Sequence, residues 1–432
     1  MLSNDHIISE ALLSSTALPD YEIDLKGNVI GMTLFENVLN PYVHGTIIVV
    51  DDFNLRDTMI LQGTETIKIS IKDQETDEVV SEKRFIVSNI ESQVALTDNS
   101  DALLLHIVED FFFASTLNRI SKSYSGSLDN IISQILDNEL STKLKTFAYF
   151  PSSQGVRKVV IPYMTPLESC IWLIKRISTR EGLPFYLYGS IFDKNAVRIS
   201  SVNALLRLPP VNEKFPANYT GSYSGVINSQ KRKLTEIYDV KQVNNENTIG
   251  MIERAGYGSS YNTIDLNKGI NEDTHFSIRN IIDQLVIDGV VRSDYVSNAF
   301  DPRLNVLGKF ADEYNARHIH QVNIGKTYKQ FYNYHENIEN NKMTSEIIKT
   351  MLNRNIINFS MNSYLFLNSS TKVSVGNKLR LNFLNNDLSA ENSEATFDKR
   401  KSGDFLLLAL RHDFGKTENT TSATAAKVDN TL

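Results

Sequence analysis

A strand–glycine turn–strand pattern occurs twice in this sequence, once near each end, and it limits the possible folds more than any other feature. The first copy occupies residues 40–52 and 61–71, and the second occupies residues 371–383 and 402–414. In each copy an alternating strand follows a turn glycine, and the unit includes a strongly apolar strand. Because short strands joined by turn residues are typical of small barrels and sandwiches, the duplication predicts two small antiparallel β-domains in one chain.

The size and composition of the chain favour a multidomain protein. It has 432 residues, 41% of them hydrophobic, which is too long for a single core and predicts two to four domains. The formal net charge of −7 argues against nucleic acid as the main ligand. No apolar run approaches the roughly 18 residues of a membrane-spanning helix, so no direct membrane insertion is expected. The single cysteine, Cys170, excludes an intrachain disulfide framework and is predicted to be a buried side chain.

Changes in hydrophobic periodicity divide the chain into five predicted segments. Near the N-terminus, apolar and polar residues alternate as in half-buried strands, whereas after Ser115 the spacing becomes helical. The last residues are rich in Thr, Ala and Asn without periodicity, which predicts disorder. The predicted fold class is therefore α+β, mainly β. The segments are a first tube-like β-barrel at 1–114, an α+β module at 115–205, a second tube-like β-barrel at 206–250 plus 356–415, an insertion in that barrel at 251–355, and a disordered tail at 416–432.

Two helices are predicted within the α+β module. The first has one apolar face, with apolar residues at helical spacing from Leu128 to Leu136. The second begins at Thr165, where Pro166 suits the first helical position and Glu168 completes a capping box. Gly182 fits the left-handed residue expected after the end of this helix.

The sequences that resemble nucleotide-binding loops are incomplete. Gly325-Lys-Thr and Gly415-Lys-Thr resemble the end of a phosphate-binding loop, but His320 and Leu410 occupy the positions where an earlier glycine is required. Gly256-Tyr-Gly lacks the third glycine of a dinucleotide-binding loop. No cofactor is therefore expected.

The pair His318 and His320 is a weak candidate for a metal site. On an extended strand both imidazoles face one side, and a symmetric assembly could bring several copies to one ion. An exposed His pair in a polar segment is more often simply solvated. His44, His106 and His412 lie in or beside predicted strands without a partnered nucleophile, and they are interpreted as ordinary residues of the β-domains.

Paired carboxylates occur at Asp51-Asp52 and Glu109-Asp110, both at predicted strand ends. A glycosidase requires two carboxyl groups at a defined separation in an open cleft, and no motif in the sequence supports one. No catalytic residue is predicted, and the chain is not expected to be an enzyme.

The order of these modules resembles the baseplate hub proteins of contractile-tailed bacteriophages, typified by the hub of the T-even phages. Residues 41–52 and 63–67 resemble the first hub barrel, and residues 375–381 and 402–414 resemble the end of the second. The helix from Thr165 and the hairpin after Gly182 resemble the module between the barrels. Related barrels occur in the N-terminal part of the VgrG spike proteins of type VI secretion systems.

The resemblance implies a structural role. Hubs of this kind are homotrimers in which each chain contributes two similar barrels, so that six barrels present pseudo-sixfold symmetry to the hexameric tail tube while the threefold axis receives a trimeric central spike. The implied partners are the tail tube protein and the spike protein, with the tape measure and inner baseplate proteins as further neighbours. The implied location is the tail baseplate of the virion, reached from the host cytoplasm during assembly.

Two alternatives remain open at this point: a phage-encoded cell-wall hydrolase or protease with β-rich binding modules, and a trimeric spike or tail fibre. The latter would show long repeats, and the sequence has none. For the hub we expect the two barrels to be related by about sixty degrees around the trimer axis. We further expect the apolar strands at 47–50 and 405–410 to be exposed edges that trimerisation covers. Two segments with different folds, or a single continuous sheet through both segments of a monomer, would defeat the hub assignment.

Overall fold

The computed structural model describes most of the chain. The described residues are 6–15, 17–18, 20–51, 54–73, 76–97, 100–147, 157–175, 179, 182–219, 235–244, 248–253, 257–265, 269–287, 305–316, 318–323, 344–345, 348–350, 352–353, 355–384, 397–398, 401–415 and 419–429.

The N-terminal part is built from strands whose side chains alternate between a buried and a more exposed face, as the period-two pattern predicts. The strands are β1 (His6–Ser14), β2 (Glu22–Asp24), β3 (Val29–Asn37), β4 (His44–Asp51), β5 (Thr66–Asp73), β6 (Val79–Thr97) and β7 (Ser100–Glu109), with the short helix α1 (Leu55–Thr58) before β5.

The α+β module follows directly. Its two predicted helices begin where the sequence predicts them, but the second ends at Ile174, well before Gly182, which was expected to follow its end. The apolar face of the long helix is buried against the second helix and the module's strands. Thr165 and Glu168 form the predicted capping box, and Gly182 has a φ of 83°. The elements are α2 (Asp110–Leu117), β8 (Ser123–Gly126), α3 (Leu128–Leu140), β9 (Lys143–Thr146), β10 (Arg157–Val160), α4 (Pro166–Ile174), β11 (Phe185–Gly189), β12 (Ala196–Ser201) and α5 (Val202–Arg207).

The rest of the chain returns to strands, interrupted by an insertion with its own three-stranded sheet in the order β16–β15–β19. The strands are β13 (Ala217–Tyr219), β14 (Ile237–Asn244), β15 (Gly258–Asp265), β16 (Ile270–Ser277), β17 (Asn305–Val306), β18 (Lys309–Phe310), β19 (His318–Asn323), β20 (Ile356–Asn362), β21 (Lys378–Phe383), β22 (Gly403–Gly415) and β23 (Asn419–Asp429). Short helices lie at Thr248–Glu253, Ile278–Ile287 and Tyr364–Leu367, and a 3₁₀ turn lies at Ala311–Glu313. In the part of the chain described, no helix is long and apolar enough to cross a membrane.

One long antiparallel sheet joins the two ends of the chain, and the mainly β, α+β fold class is confirmed. Among the described strands its order is β14-β20-β23-β22-β3-β4-β7-β6-β5-β1-β2, with β21 also paired to β22. The halves meet where β22 pairs antiparallel with β3, from Ala409 opposite Asn37 to Gly415 opposite Gly31. A single apolar core runs beneath both halves and includes Leu13, Phe85 and Phe405.

The continuous sheet corrects the expectation that the apolar strands 47–50 and 405–410 are exposed edges. The first lies in β4, between β3 and β7, and the second lies in β22, which pairs with β3, β21 and β23. A strand rich in Ile, Val and Leu is stable where neighbours pair with both of its sides. The apolar strands are therefore interior to the sheet rather than at its edges.

The prediction of a disordered C-terminal tail is wrong for residues 419–429. They form β23, which pairs with β20 on one side and β22 on the other. Ala423, Ala425 and Val428 are buried. Composition did not reveal the strand, because its buried face is formed mainly by Ala and Thr rather than by large apolar residues.

Candidate functional site

The turn between β11 and β12, residues 190–195, connects the α+β module to both halves of the long sheet and is called the junction turn below. One of its contacts is with Glu36 on β3, a residue that is about 1% exposed. The Glu36 carboxylate accepts hydrogen bonds from Ile191 N (2.5 Å), Ser374 Oγ (2.8 Å) and Val375 N (3.3 Å). One buried carboxylate therefore contacts the first half, the module and the second half. Burial raises the pKa of Glu36, and these hydrogen bonds oppose that rise.

A second buried cluster holds the other side of the junction turn. Lys83 on β6 forms an ion pair with Glu109 on β7 and donates to the backbone oxygen of Asp193 (2.9 Å). The second oxygen of Glu109 accepts from Val43 N (2.6 Å). Burial raises the pKa of Glu109 although Lys83 opposes it. Since a buried ion pair is strongly destabilising when one partner is lost, this cluster fixes the module against the first half.

The Asp193 carboxylate anchors the junction turn within the module itself. It pairs with Arg198 on β12 and accepts from Lys145 Nζ on β9 (2.7 Å). Burial acts to raise the pKa of Asp193, but the two cations outweigh it and hold that pKa below its usual range. The Arg198 guanidinium also lies 4.8 Å from the ring centre of Phe147.

Two glycines permit the close approach of backbones at this junction. Gly189 N donates to Asn40 O (2.9 Å), and a Cβ at Gly189 would come within 2.9 Å of the Tyr42 backbone. Gly376 has a φ of 84°, and a Cβ there would meet the Tyr188 hydroxyl at 2.7 Å. The sheet and the module are thus joined by close backbone contacts as well as by the buried polar clusters.

The two ends of the long sheet are the candidate assembly surfaces. At one end β14 pairs with β20 alone among the described strands, and Val243 on β14 is 58% exposed. At the other end β2 pairs only with residues 12–14 of β1, and Tyr21 beside it is 52% exposed. Open strand edges bearing apolar residues pair readily with another chain.

The metal-site candidates do not converge in the part of the structure that is described. His318 and His320 lie two residues apart on β19, and the His318 ring bonds to Ser260 through Nδ1. The side chain of His320 lies outside the described residues. No group of three or more metal-binding side chains occurs within those residues.

Most of the other residues that the sequence analysis considered as possible site residues form contacts within the fold. His44 stacks on Phe35 with ring centres 5.3 Å apart, and burial lowers its pKa. His106 bonds to Glu91 (2.6 Å). Asp51 accepts from Leu55 N (2.8 Å), and Asp110 accepts from Phe111 N (2.7 Å). Asp52, Gly256 and Gly325 lie outside the described residues, while Gly415 ends a paired strand. Cys170 is fully buried, which raises the pKa of its thiol.

His412 on β22 supports a prediction of pH-dependent stability. It is fully buried with Nδ1 3.0 Å from Thr421 Oγ1, and burial lowers its pKa from 6.5 to about 3. Between these two values the unfolded chain binds a proton that the folded chain does not, so stability decreases as pH falls. We expect this histidine alone to reduce the free energy of unfolding by about 2 kcal/mol between about pH 7.5 and pH 5.

Urea unfolding at both pH values, compared between the native chain and His412→Asn, measures this contribution. Asn keeps a polar side chain of similar reach but cannot take up the proton, so the variant should show a smaller loss. An equal loss in both proteins would assign the pH dependence to other groups.

The residues that join the module to the sheet were not predicted from the sequence. Glu36 is separated from Ile191 and Ser374 by more than a hundred positions in each case. Glu36 follows a run of apolar residues in β3, and its inward position within the alternation was the one available signal.

The comparisons with known proteins address the fold. No family model and no curated protein matches the sequence. The tail protein from Neisseria meningitidis MC58 aligns over 97% of this chain and 96% of its own, with 9% identity and a TM-score of 0.52. The 43 kDa tail protein of prophage MuSo2 from Shewanella oneidensis aligns over 98% and 99%, with 9% identity and a TM-score of 0.51. These two alignments show that the chain has the fold of tail proteins, and the resemblance that the sequence indicates is confirmed at the level of the fold.

Proposed function

We propose that this chain is a structural baseplate hub of a contractile phage tail, a homotrimeric ring that joins the hexameric tail tube to the trimeric central spike. The observation that carries the proposal is the long sheet, in which two β-rich halves are continuous through β3 and β22 and each end leaves a strand edge open. The tail-protein fold supports a role in a tail.

A continuous sheet within one chain is compatible with a ring, although from the sequence we expected it to rule out the hub. In a ring of six barrels, neighbouring barrels must contact each other, and every second contact lies within a chain. Pairing β3 with β22 supplies that contact by hydrogen bonds. Three chains joined head to tail through their free ends would close a ring, since a heterologous interface closes when its rotation divides a full turn.

The proposed partners follow from this arrangement. A ring with two halves per chain offers six similar positions to the tail tube and three to the spike, with the tape measure and inner baseplate proteins as further contacts. The two halves would be related by about sixty degrees around the trimer axis. The proposed site of action is the tail baseplate of the virion, after assembly in the host cytoplasm.

The proposal includes no catalysis by this chain. Asp51 and Glu109 are buried and accept hydrogen bonds from backbone N–H groups, and Glu109 in addition pairs with Lys83. Such carboxylates serve the fold, whereas a hydrolase needs an acid and a base facing a cleft. The cell-wall hydrolase or protease is therefore the less supported alternative.

We expect multi-angle light scattering to show that the purified chain is a trimer. A lysine substitution at either end of the long sheet should weaken the association of the three chains. Val243→Lys and Tyr21→Lys place a charge where strand pairing between chains would occur, which disfavours edge pairing. Ile48→Lys is the matched control, because Ile48 is an exposed apolar residue on the interior strand β4. A monomeric native chain, or equal effects of all three variants, would contradict the ring. A monomer whose peptidoglycan turnover depends on His318 and His320 would support the hydrolase.

A further inference from the structure

Three exposed apolar side chains lie on neighbouring segments of the α+β module, and this group is called the Tyr163 patch. They are Leu117 at the end of α2, Val160 at the end of β10 and Tyr163, which are 77%, 58% and 69% exposed. Their segments run side by side, since Ile120 pairs with Met164 across an antiparallel bridge. Large apolar side chains that are exposed on neighbouring segments are typical of a contact surface.

The backbone of Tyr163 is held in a conformation that its side chain disfavours. Its φ is 45°, in the left-handed region where bulky residues are rare outliers. The ring is exposed, so packing within the described chain does not offset this strain. Backbone strain of this kind concentrates at functional sites, and at Tyr163 it holds an aromatic ring toward solvent.

The patch also carries positive charge. The Arg119 guanidinium lies 5.8 Å from the centre of the Tyr163 ring and forms no ion pair within the described residues. Lys158 is two residues before Val160 on β10, so both side chains lie on the same exposed face of that strand. The nearby carboxylate of Glu168 is directed to Thr165 N (3.1 Å) as a helix cap. An Arg stacked on an exposed Tyr is therefore available to an incoming carboxylate.

One strand beside the patch has an open edge in the described part of the chain. β10 pairs with β8 in a two-stranded sheet, and no other described strand joins either of them. Extended segments of other proteins add to such edges by backbone hydrogen bonds, while their alternate side chains select the site.

We propose that the Tyr163 patch binds an extended acidic segment of another protein, with a carboxylate on Arg119 and an apolar side chain against Leu117, Val160 and Tyr163. This site is separate from the sheet ends, so it does not depend on the trimer. A membrane surface is disfavoured, because the chain has a net charge of −7 and stable membrane attachment by so few apolar residues requires a polybasic surface.

The test measures binding of a short fluorescein-labelled peptide of alternating Glu and Leu to the full chain by fluorescence anisotropy. We expect a Kd below about 1 mM that weakens with salt, and no binding of the Lys–Leu peptide. Arg119→Gln and Tyr163→Gly should each weaken binding by about tenfold or more. Glycine accepts a positive φ, so Tyr163→Gly should leave the melting temperature unchanged or raise it.

Leu307→Asn is the matched control, because Leu307 is also an exposed apolar residue with a positive φ (54°) but lies in the insertion. It should bind the Glu–Leu peptide like the native chain. Absence of binding, equal binding of the Lys–Leu peptide, or insensitivity to both patch variants would overturn the proposal. Binding to anionic phosphatidylserine vesicles that is lost in the same variants would also overturn it and assign the patch to a membrane.

Discussion

Removal of residues 416–432 should abolish cooperative folding of the second half of the long sheet. The deletion removes β23, so β20 and β22 each lose the strand that pairs with them along most of their length. It also removes the buried side chains of Ala423, Ala425 and Val428 from the core. The expected loss is comparable with the whole stability of a domain, about 5–15 kcal/mol. Urea unfolding followed by circular dichroism, together with limited proteolysis, would measure it.

Two lysine substitutions on β23 test the contribution of this strand to stability without changing the chain length. Ala425 is fully buried, so Ala425→Lys places a charge in the core and should cost several kcal/mol, at least about 3. Thr420 lies on the opposite, half-buried face beside Asp413, and Thr420→Lys should change stability by less than about 1 kcal/mol. Truncation or Ala425→Lys with an unchanged unfolding midpoint would show that β23 contributes little to the folded state.

β23 is an element that the sequence did not predict, whereas elements with a local sequence pattern were predicted. The alternation in β5, the apolar face of α3 and the capping box of α4 are local patterns, and each formed as predicted. β23 has no such pattern, because Ala and Thr fill its buried face between two strands that supply the large apolar residues. Its position depends on pairing with β20 and β22, and pairing partners are a property of the whole fold.

The contacts of Glu36 between the module and the sheet could not be predicted from the sequence for a related reason. The alternation in β3 places Glu36 on the buried face, but nothing local indicates which groups will satisfy the carboxylate. Its partners come from a turn in the module and from a turn after residue 370. The same holds for the sheet as a whole: the repeat predicted two β-rich halves, whereas nothing in it indicated the β3–β22 pairing that joins them.

Replacement of Glu36 should uncouple the module from the sheet, with an effect second in size to the loss of β23. Glu36→Ala leaves Ile191 N, Val375 N and the Ser374 hydroxyl without their acceptor in a buried site. Each unsatisfied buried group costs about 1–3 kcal/mol, so we expect a total loss of about 3–6 kcal/mol. Glu36→Gln keeps one acceptor oxygen and should lose about 1–2 kcal/mol. Glu91→Ala, which removes an exposed carboxylate bonded to His106, is the control and should cost less than about 1 kcal/mol.

Two measurements distinguish a role of Glu36 in joining the module to the sheet from a general loss of stability. They are the pH dependence of the free energy of unfolding and the location of the residues whose hydrogen exchange increases. Because burial raises the pKa of Glu36, its contribution is fully present below the pKa of the unfolded chain and decreases as pH rises through the folded pKa. Glu36→Gln cannot ionise, so its deficit relative to the native chain should shrink as pH rises. Hydrogen exchange of Glu36→Ala should increase first at residues 189–195 and 374–376, where the module meets the sheet. Uniform acceleration across the long sheet, with these turns no faster than β4 or β7, would show that Glu36 supports the core rather than the junction.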